Sequence, residues 1–180
     1  MIRNFINIVE TGLSEAPVDI EQVASQLNFL PTHKKDLTYS PIQQSVDQTN
    51  IDQMPALSFG KSSQQFMLQT VTADGHETQK AVAVGDIIVS GPSKEKYNIG
   101  GEAKLIKNYP VDAGNGRRKP DVSAERMVAK YTGSESVNFV ASWGEQMVLK
   151  PGDFLVKEDE GKYYRIAAFE YNQTYNPPGK

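Results

Sequence analysis

Apolar residues recur at Ile2, Phe5, Ile6, Val9 and Leu13, and again at Ile20, Val23, Ala24 and Leu27, the spacing of one helical face. Ser14-Glu15-Ala16-Pro17 breaks the first run, Asp19 stands where a cap is needed for the second, and Pro31 ends it. The spacing predicts two short amphipathic helices joined as a hairpin over residues 1–31. The period is then lost. Residues 32–58 are rich in Gln, Asp, Ser and Thr and contain Pro41 and Pro55, which reads as a linker or extended segment. Beyond it the pattern shortens to that of strands. Residues 66–72 and 79–84 flank the turn residues Ala73-Asp74-Gly75-His76, and 127–131 and 137–142 are followed by Trp143-Gly144-Glu145.

Two of these strand-rich stretches are alike. A shift of 67 residues superposes Gly85 on Gly152, Asp86 on Asp153, Val89 on Val156, Tyr97 on Tyr164 and Ile99 on Ile166. One further deletion brings Leu105 onto Tyr171 and Tyr109 onto Tyr175. In Lys150-Pro151-Gly152-Asp153 the proline presets φ and the glycine permits a positive φ, as a type II turn requires. A strand of branched residues follows in both stretches, then a Tyr-x-Ile strand, then a helix-like segment. An internal repeat changes the domain reading before any motif does. The expected architecture is an α+β fold: an N-terminal helical hairpin (1–31), a linker (32–58), β-rich repeat one (59–112), a linker (113–121) and β-rich repeat two (122–177), each repeat closed by a short helix. Aligned through Gly75 and Gly133, repeat two has extra residues ahead of its Gly-Asp, so strand 137–142 and the Trp turn are expected to have no counterpart in repeat one.

Composition narrows the chemistry. The formal net charge of −3 gives no electrostatic reason to expect nucleic acid or an anionic membrane as a partner. Asp19–Leu30 has the look of the first helix of a helix-turn-helix, but the residues after Pro31 supply no recognition helix. The Arg117-Arg118-Lys119 cluster reads as a solvated loop rather than a phosphate site. With no Cys, a disulfide scaffold, a cysteine nucleophile and a Cys-based zinc site are excluded. No apolar run approaches a membrane span, and Asn4, Asn7 and Glu10 interrupt what a signal peptide would keep apolar. A cytoplasmic location is expected. The two His, His33 and His76, stand apart from any Gly-x-Ser-x-Gly or clustered acid, and no phosphate loop is present. No catalytic residue, cofactor or metal is expected.

Asp86 and Asp153 could suggest an acid pair. Their identical placement after a turn glycine favours a structural role, each carboxylate holding the backbone of its own turn. Gly85, Asp86, Gly152 and Asp153 are therefore read as structural turns. Strand alternation pairs Tyr164 with Ile166 on one face and Tyr163 with Arg165 on the other. The repeat matches Tyr164 and Ile166, which places them in the core and turns Tyr163 and Arg165 outward. Trp143, Glu145, Tyr163 and Arg165 are the candidate binding residues.

Trp143-Gly144-Glu145, Pro151-Gly152-Asp153-Phe154-Leu155-Val156, Tyr164-Arg165-Ile166 and Tyr171-Asn172-Gln173-Thr174-Tyr175 together resemble a small domain of bacterial and phage proteins. The resemblance covers 127–177, with a degenerate version at 66–110. The domain has no established activity, so the resemblance implies a module rather than an enzyme and carries no catalytic residues. The leading expectation is a non-enzymatic binding module with a protein partner or self-association. The alternative is a small-molecule or nucleotide-binding protein with a pocket between the repeats or beside Trp143. A flat exposed Tyr/Arg surface would favour the first, and a polar pocket between the repeats the second.

Overall fold

The structure is a computed structural model and describes residues 16–158 and 161–180. It is β-rich, with two four-stranded sheets and three α-helices of no more than seven residues among the described residues. The first unit is built on β2 (Ile42–Val46), β3 (Ser58–Ser62), β6 (Ile87–Ser90) and β7 (Lys96–Gly100), in that order across its sheet. Between β3 and β6 the hairpin of β4 (Phe66–Thr72) and β5 (Gly75–Val82) stands out, and α2 (Glu102–Asn108) follows β7. The second unit takes the order β1 (Leu30–His33), β10 (Glu125–Lys130), β13 (Phe154–Lys157), β14 (Tyr163–Ile166). Its hairpin is β11 (Val137–Val140) with β12 (Gln146–Leu149), and α3 (Ala168–Thr174) follows β14. A small hairpin of β8 (Val111–Asp112) and β9 (Arg118–Lys119) lies between the units in sequence.

The apolar runs in β6 and β13 follow from burial on both sheet faces, which removes alternation from a strand. Ile87 and Val89 pack with Leu105 and Tyr109 of the α2 region, while Ile88 packs with Phe66, Leu68 and Val82 of the hairpin. In the second unit Phe154 and Val156 pack with Tyr171 and Tyr175, and Leu155 packs with Phe139, Met147 and Leu149. Helix on one face and hairpin on the other is thus the construction of both units.

The α+β expectation is corrected here, because the described residues form no helical hairpin. The expected first arm, residues 2–13, lies outside the described residues. The second arm is only α1 (Ile20–Ala24), capped by Asp19, whose carboxylate accepts from the Glu21 N–H at 3.0 Å. Its periodic residues Ile20, Val23, Ala24 and Leu27 pack on the core of the second unit. A helix this short owes its stability to such packing. Pro31, expected to end a helix, sits in β1, where it pairs with Met127. That strand is the edge of its sheet, the position where a missing N–H is tolerated. The linker or extended segment expected over 32–58 takes strand pairing in β2, which runs parallel to β3.

Candidate functional site

The Gly-Asp turns are built alike, bond for bond. Gly85 N–H donates to the Ser62 carbonyl and Gly152 N–H to that of Tyr131, at 2.8 and 2.9 Å. Asp86 Oδ2 accepts from the Ala83 N–H at 2.9 Å, and Asp153 Oδ2 from the Lys150 N–H at 2.8 Å. Both glycines hold a positive φ, 87° at Gly85 and 92° at Gly152, which favours residues without a Cβ. These carboxylates are occupied in holding backbone, not poised as an acid pair.

One residue in each unit adds a side-chain tie to that Asp. Asn98 Nδ2 donates to Asp86 Oδ2 at 2.8 Å, and Arg165 Nε to Asp153 Oδ2 at 2.7 Å. The two positions are related by the same shift of 67. Arg165 reaches further. Its Nη2 meets Asp74 Oδ2 at the tip of the first unit's hairpin at 2.9 Å, and Lys150 Nζ meets the same oxygen at 3.0 Å. The neighbouring Ala73 N–H donates to Glu170 Oε1 on α3 at 2.9 Å. Burial opposes the charge on Asp74. Hydrogen bonds from Thr72 and Lys150 and the charges of Arg165 and Lys150 outweigh it and hold the carboxyl below its ordinary value.

Beside this clasp, β7 and β14, each the edge of its own sheet, face a cleft with a cavity of about 350 Å³. The walls come from counterpart positions: Tyr97 and Tyr164, Asn98 and Arg165, Ile99 and Ile166. Asn108 and Tyr109 line it from the first unit, and Thr174 and Tyr175 from the second. The two hairpins contribute Thr78 and Lys80 on one side and Trp143, Glu145 and Met147 on the other. The tyrosine hydroxyls are neutral hydrogen-bonding groups. Tyr97 and Tyr109 share a bond at 2.7 Å, and burial pushes Tyr109 up to about 12.

Two charged groups in this cleft lack the partners such groups normally have. Lys34, just after β1, places its Nζ 5.3 Å from the centroid of the Tyr109 ring and 5.9 Å from that of Tyr175. That arrangement is attractive for a cation, but no carboxylate lies within ion-pair distance of it among the described residues. Burial, with the charge of Arg126 adding to it, lowers its ammonium to about 8. Glu170 is 5% exposed, and its Oε2 has no hydrogen-bond partner, a costly state for a buried carboxylate. Glu95 stands near it. Burial foremost, and the charge of Glu170 after it, hold the Glu95 carboxyl above its ordinary value.

Of the expected binding residues, Trp143, Glu145 and Arg165 line the cleft. Trp143 is 48% exposed, donates its Nε1–H to Glu145 Oε2 at 2.6 Å and lies 5.8 Å from the Tyr164 ring. Glu145 Oε1 accepts from the Thr78 hydroxyl of the other unit. The outward orientation expected of Tyr163 and Arg165 is corrected: both are buried, Tyr163 against Phe29 and the second core. Period-two alternation separates buried from exposed only where one sheet face meets water, and here a hairpin covers the face expected to be open. The expectation that strand 137–142 and the Trp turn lack a counterpart is corrected as well. The β11–β12 hairpin stands ahead of β13 as β4–β5 stands ahead of β6, and Gly144 and Gly75 both hold positive φ in their hairpin turns.

Sequence reasoning passed over Lys34, Asp74, Glu95 and Glu170. Lys34 lay in the expected linker, Asp74 was read only as a turn residue, Glu95 sits in a polar loop, and Glu170 stands alone in the apolar stretch 166–171 with no motif around it. Among the described residues no cluster of His, Asp and Glu could hold a metal ion, and no helix is long and apolar enough to cross a membrane. The chain matches no family model, no curated protein and no solved structure.

Proposed function

We propose that the protein is a non-enzymatic binding protein whose ligand is a small polar molecule held in the cleft between the two units. The observation that carries this reading is the cavity itself: about 350 Å³, walled by counterpart residues of both units and holding unpartnered charge. The volume falls in the range of small-ligand sites, which combine aromatic walls with a few polar groups that fix orientation. Burial of Tyr163 and Arg165 leaves no flat Tyr/Arg face at these positions for a protein partner. With the bacterial and phage resemblance, the proposal extends to a protein of such origin acting in the cytoplasm.

Trp143 is the only tryptophan and lines the cleft, so its emission reports on occupancy. Native mass spectrometry of the purified protein, followed by titration of candidate metabolites against Trp143 fluorescence, tests the reading. A one-to-one small-molecule complex is expected, with binding lost when Asn108→Trp or Thr174→Trp fills the cleft. A complex that survives both filled variants, or a protein that captures only proteins, would overturn it.

A further inference from the structure

Lys34 and Glu170 are opposite in sign, line one cavity and form no ion pair with each other. We infer that the cleft is built for a small zwitterion, with an anionic group received at Lys34 and an ammonium received at the Glu170–Glu95 wall. This rests on the cleft being the binding site, as proposed above.

The physical case is one of unmet demand at both ends. An ammonium partly removed from water and supported only by aromatic faces gains most from a charge-assisted hydrogen bond. Tyr109 and Tyr175, the counterpart tyrosines of the two units, frame that position from both sides. The Glu170 carboxylate spends Oε1 on the Ala73 N–H and leaves Oε2 without a donor, and Glu95, whose Oε2 accepts from the Ser93 N–H, lines the same cavity. Two carboxylates lining one cavity repel, and a cation bound at Glu170 relieves both that repulsion and the missing hydrogen bond. The cavity has room for a molecule of amino-acid size. A carboxylate and a phosphate would satisfy Lys34 by the same chemistry, so amino acids and aminoalkyl phosphates both belong to the class.

The test uses the full chain and Trp143 emission, with calorimetry as a second measure. The probes are γ-aminobutyrate and phosphoethanolamine as zwitterions, propionate as the anion alone, ethylamine as the cation alone and a neutral phenol. At least one zwitterion is expected to bind about tenfold or more tightly than either single-charge probe. Lys34→Met should bring its affinity down to that of ethylamine, and Glu170→Gln down to that of propionate. The Gln amide oxygen can still accept from Ala73, so this variant keeps the structural bond. A pH series adds a readout that a merely structural lysine would not move. Lys34 is faced by Arg126 from β10, by Tyr109 from the end of α2 and by Tyr175 from the end of α3, and its ammonium is lost above about pH 8. Zwitterion affinity should fall there in the wild type and persist in Lys34→Arg.

Equal affinity for propionate and the zwitterions would overturn the inference, as would equal affinity for ethylamine. Binding of the phenol alone would overturn it while leaving the cleft as the binding site. No binding by any probe would overturn the zwitterion, while a one-to-one small-molecule complex in native mass spectrometry, lost in the filled variants, would keep the cleft as the binding site.

Discussion

Asn98 and Arg165 occupy the same place in two similar units, and each is tied to the Asp of its own Gly-Asp turn. The asparagine spends its other bonds inside its own unit, on the Ala81 carbonyl and the Gly100 N–H, whereas the arginine goes on to Asp74 of the other unit. The turn sets a requirement that either side chain meets. What the units differ in is what is left of the side chain once that requirement is met. In the first unit the remainder ties β7 to its neighbouring backbone and goes no further. In the second a buried guanidinium fork links the turn, the neighbouring hairpin and the cleft wall. Likeness between the units thus marks the fold, and the departures from it mark where one unit engages the other.

Substitution at the paired positions tests this most strongly. Arg165→Ala leaves Asp153 buried without its cation and leaves Asp74 only Lys150 and the Thr72 hydroxyl, and should lower unfolding free energy by about 3–5 kcal/mol. Asn98→Ala, beside the less buried Asp86, should cost about 1–2 kcal/mol. Chemical denaturation measures both, and equal losses would break the comparison. Arg165→Asn sharpens it: the graft should restore the tie to Asp153 but not the one to Asp74, giving a loss between the two alanine variants. Effects smaller than that of Arg165→Ala, and equal to each other, are expected at the shared feature. Gly85→Ala and Gly152→Ala have open space around an added Cβ, so only the positive φ penalises them. Each should cost about 1–2 kcal/mol, and a clear difference between them would show that the turns are not equivalent. The smallest effect is a pH dependence. Asp74 titrates below its ordinary value in the folded protein, so its contribution is present above the unfolded pKa and is lost as pH falls through the folded one. Asp74→Asn should flatten the acid limb of a stability profile, and an unchanged limb would remove Asp74 from the clasp.

Much of the second half of the chain was legible because its constraints are local. A turn that needs Gly and Asp announces itself, and when it recurs with the strands that follow, the register of β6 and β13 can be read directly. Asp19 was legible as a cap for the same reason. What failed were inferences from one-sided burial. The helical period at Ile20–Leu27 was real, but it recorded packing on the second unit's core. The alternation at Tyr163–Ile166 assumed an open sheet face. Leu30–His33 gave no strand signal, since a proline in an edge strand looks like a breaker. The charged residues of the cleft were illegible for a different reason. Lys34, Glu95 and Glu170 are separated widely in sequence and meet only because β1, β7 and α3 are brought to one place. Lys34 and Glu95 look locally like solvated side chains, and the apolar neighbours of Glu170 do not say what its carboxylate meets.

The path of the chain through the two sheets has a consequence for how the protein is made. Leu30 pairs with Val128, so the whole first unit is translated between the two partners. That unit has its sheet and helix in hand by Asn108, while β1 has emerged from the ribosome and waits for β10. Pairings so distant in sequence are slow to form, and an unsatisfied strand edge invites association with other nascent chains. Synthesis of β14 and α3 comes later still and brings Arg165 and Glu170 to the waiting hairpin. The cleft therefore exists only once both units are in place, and its ligand, once bound, stabilises that joined state alone.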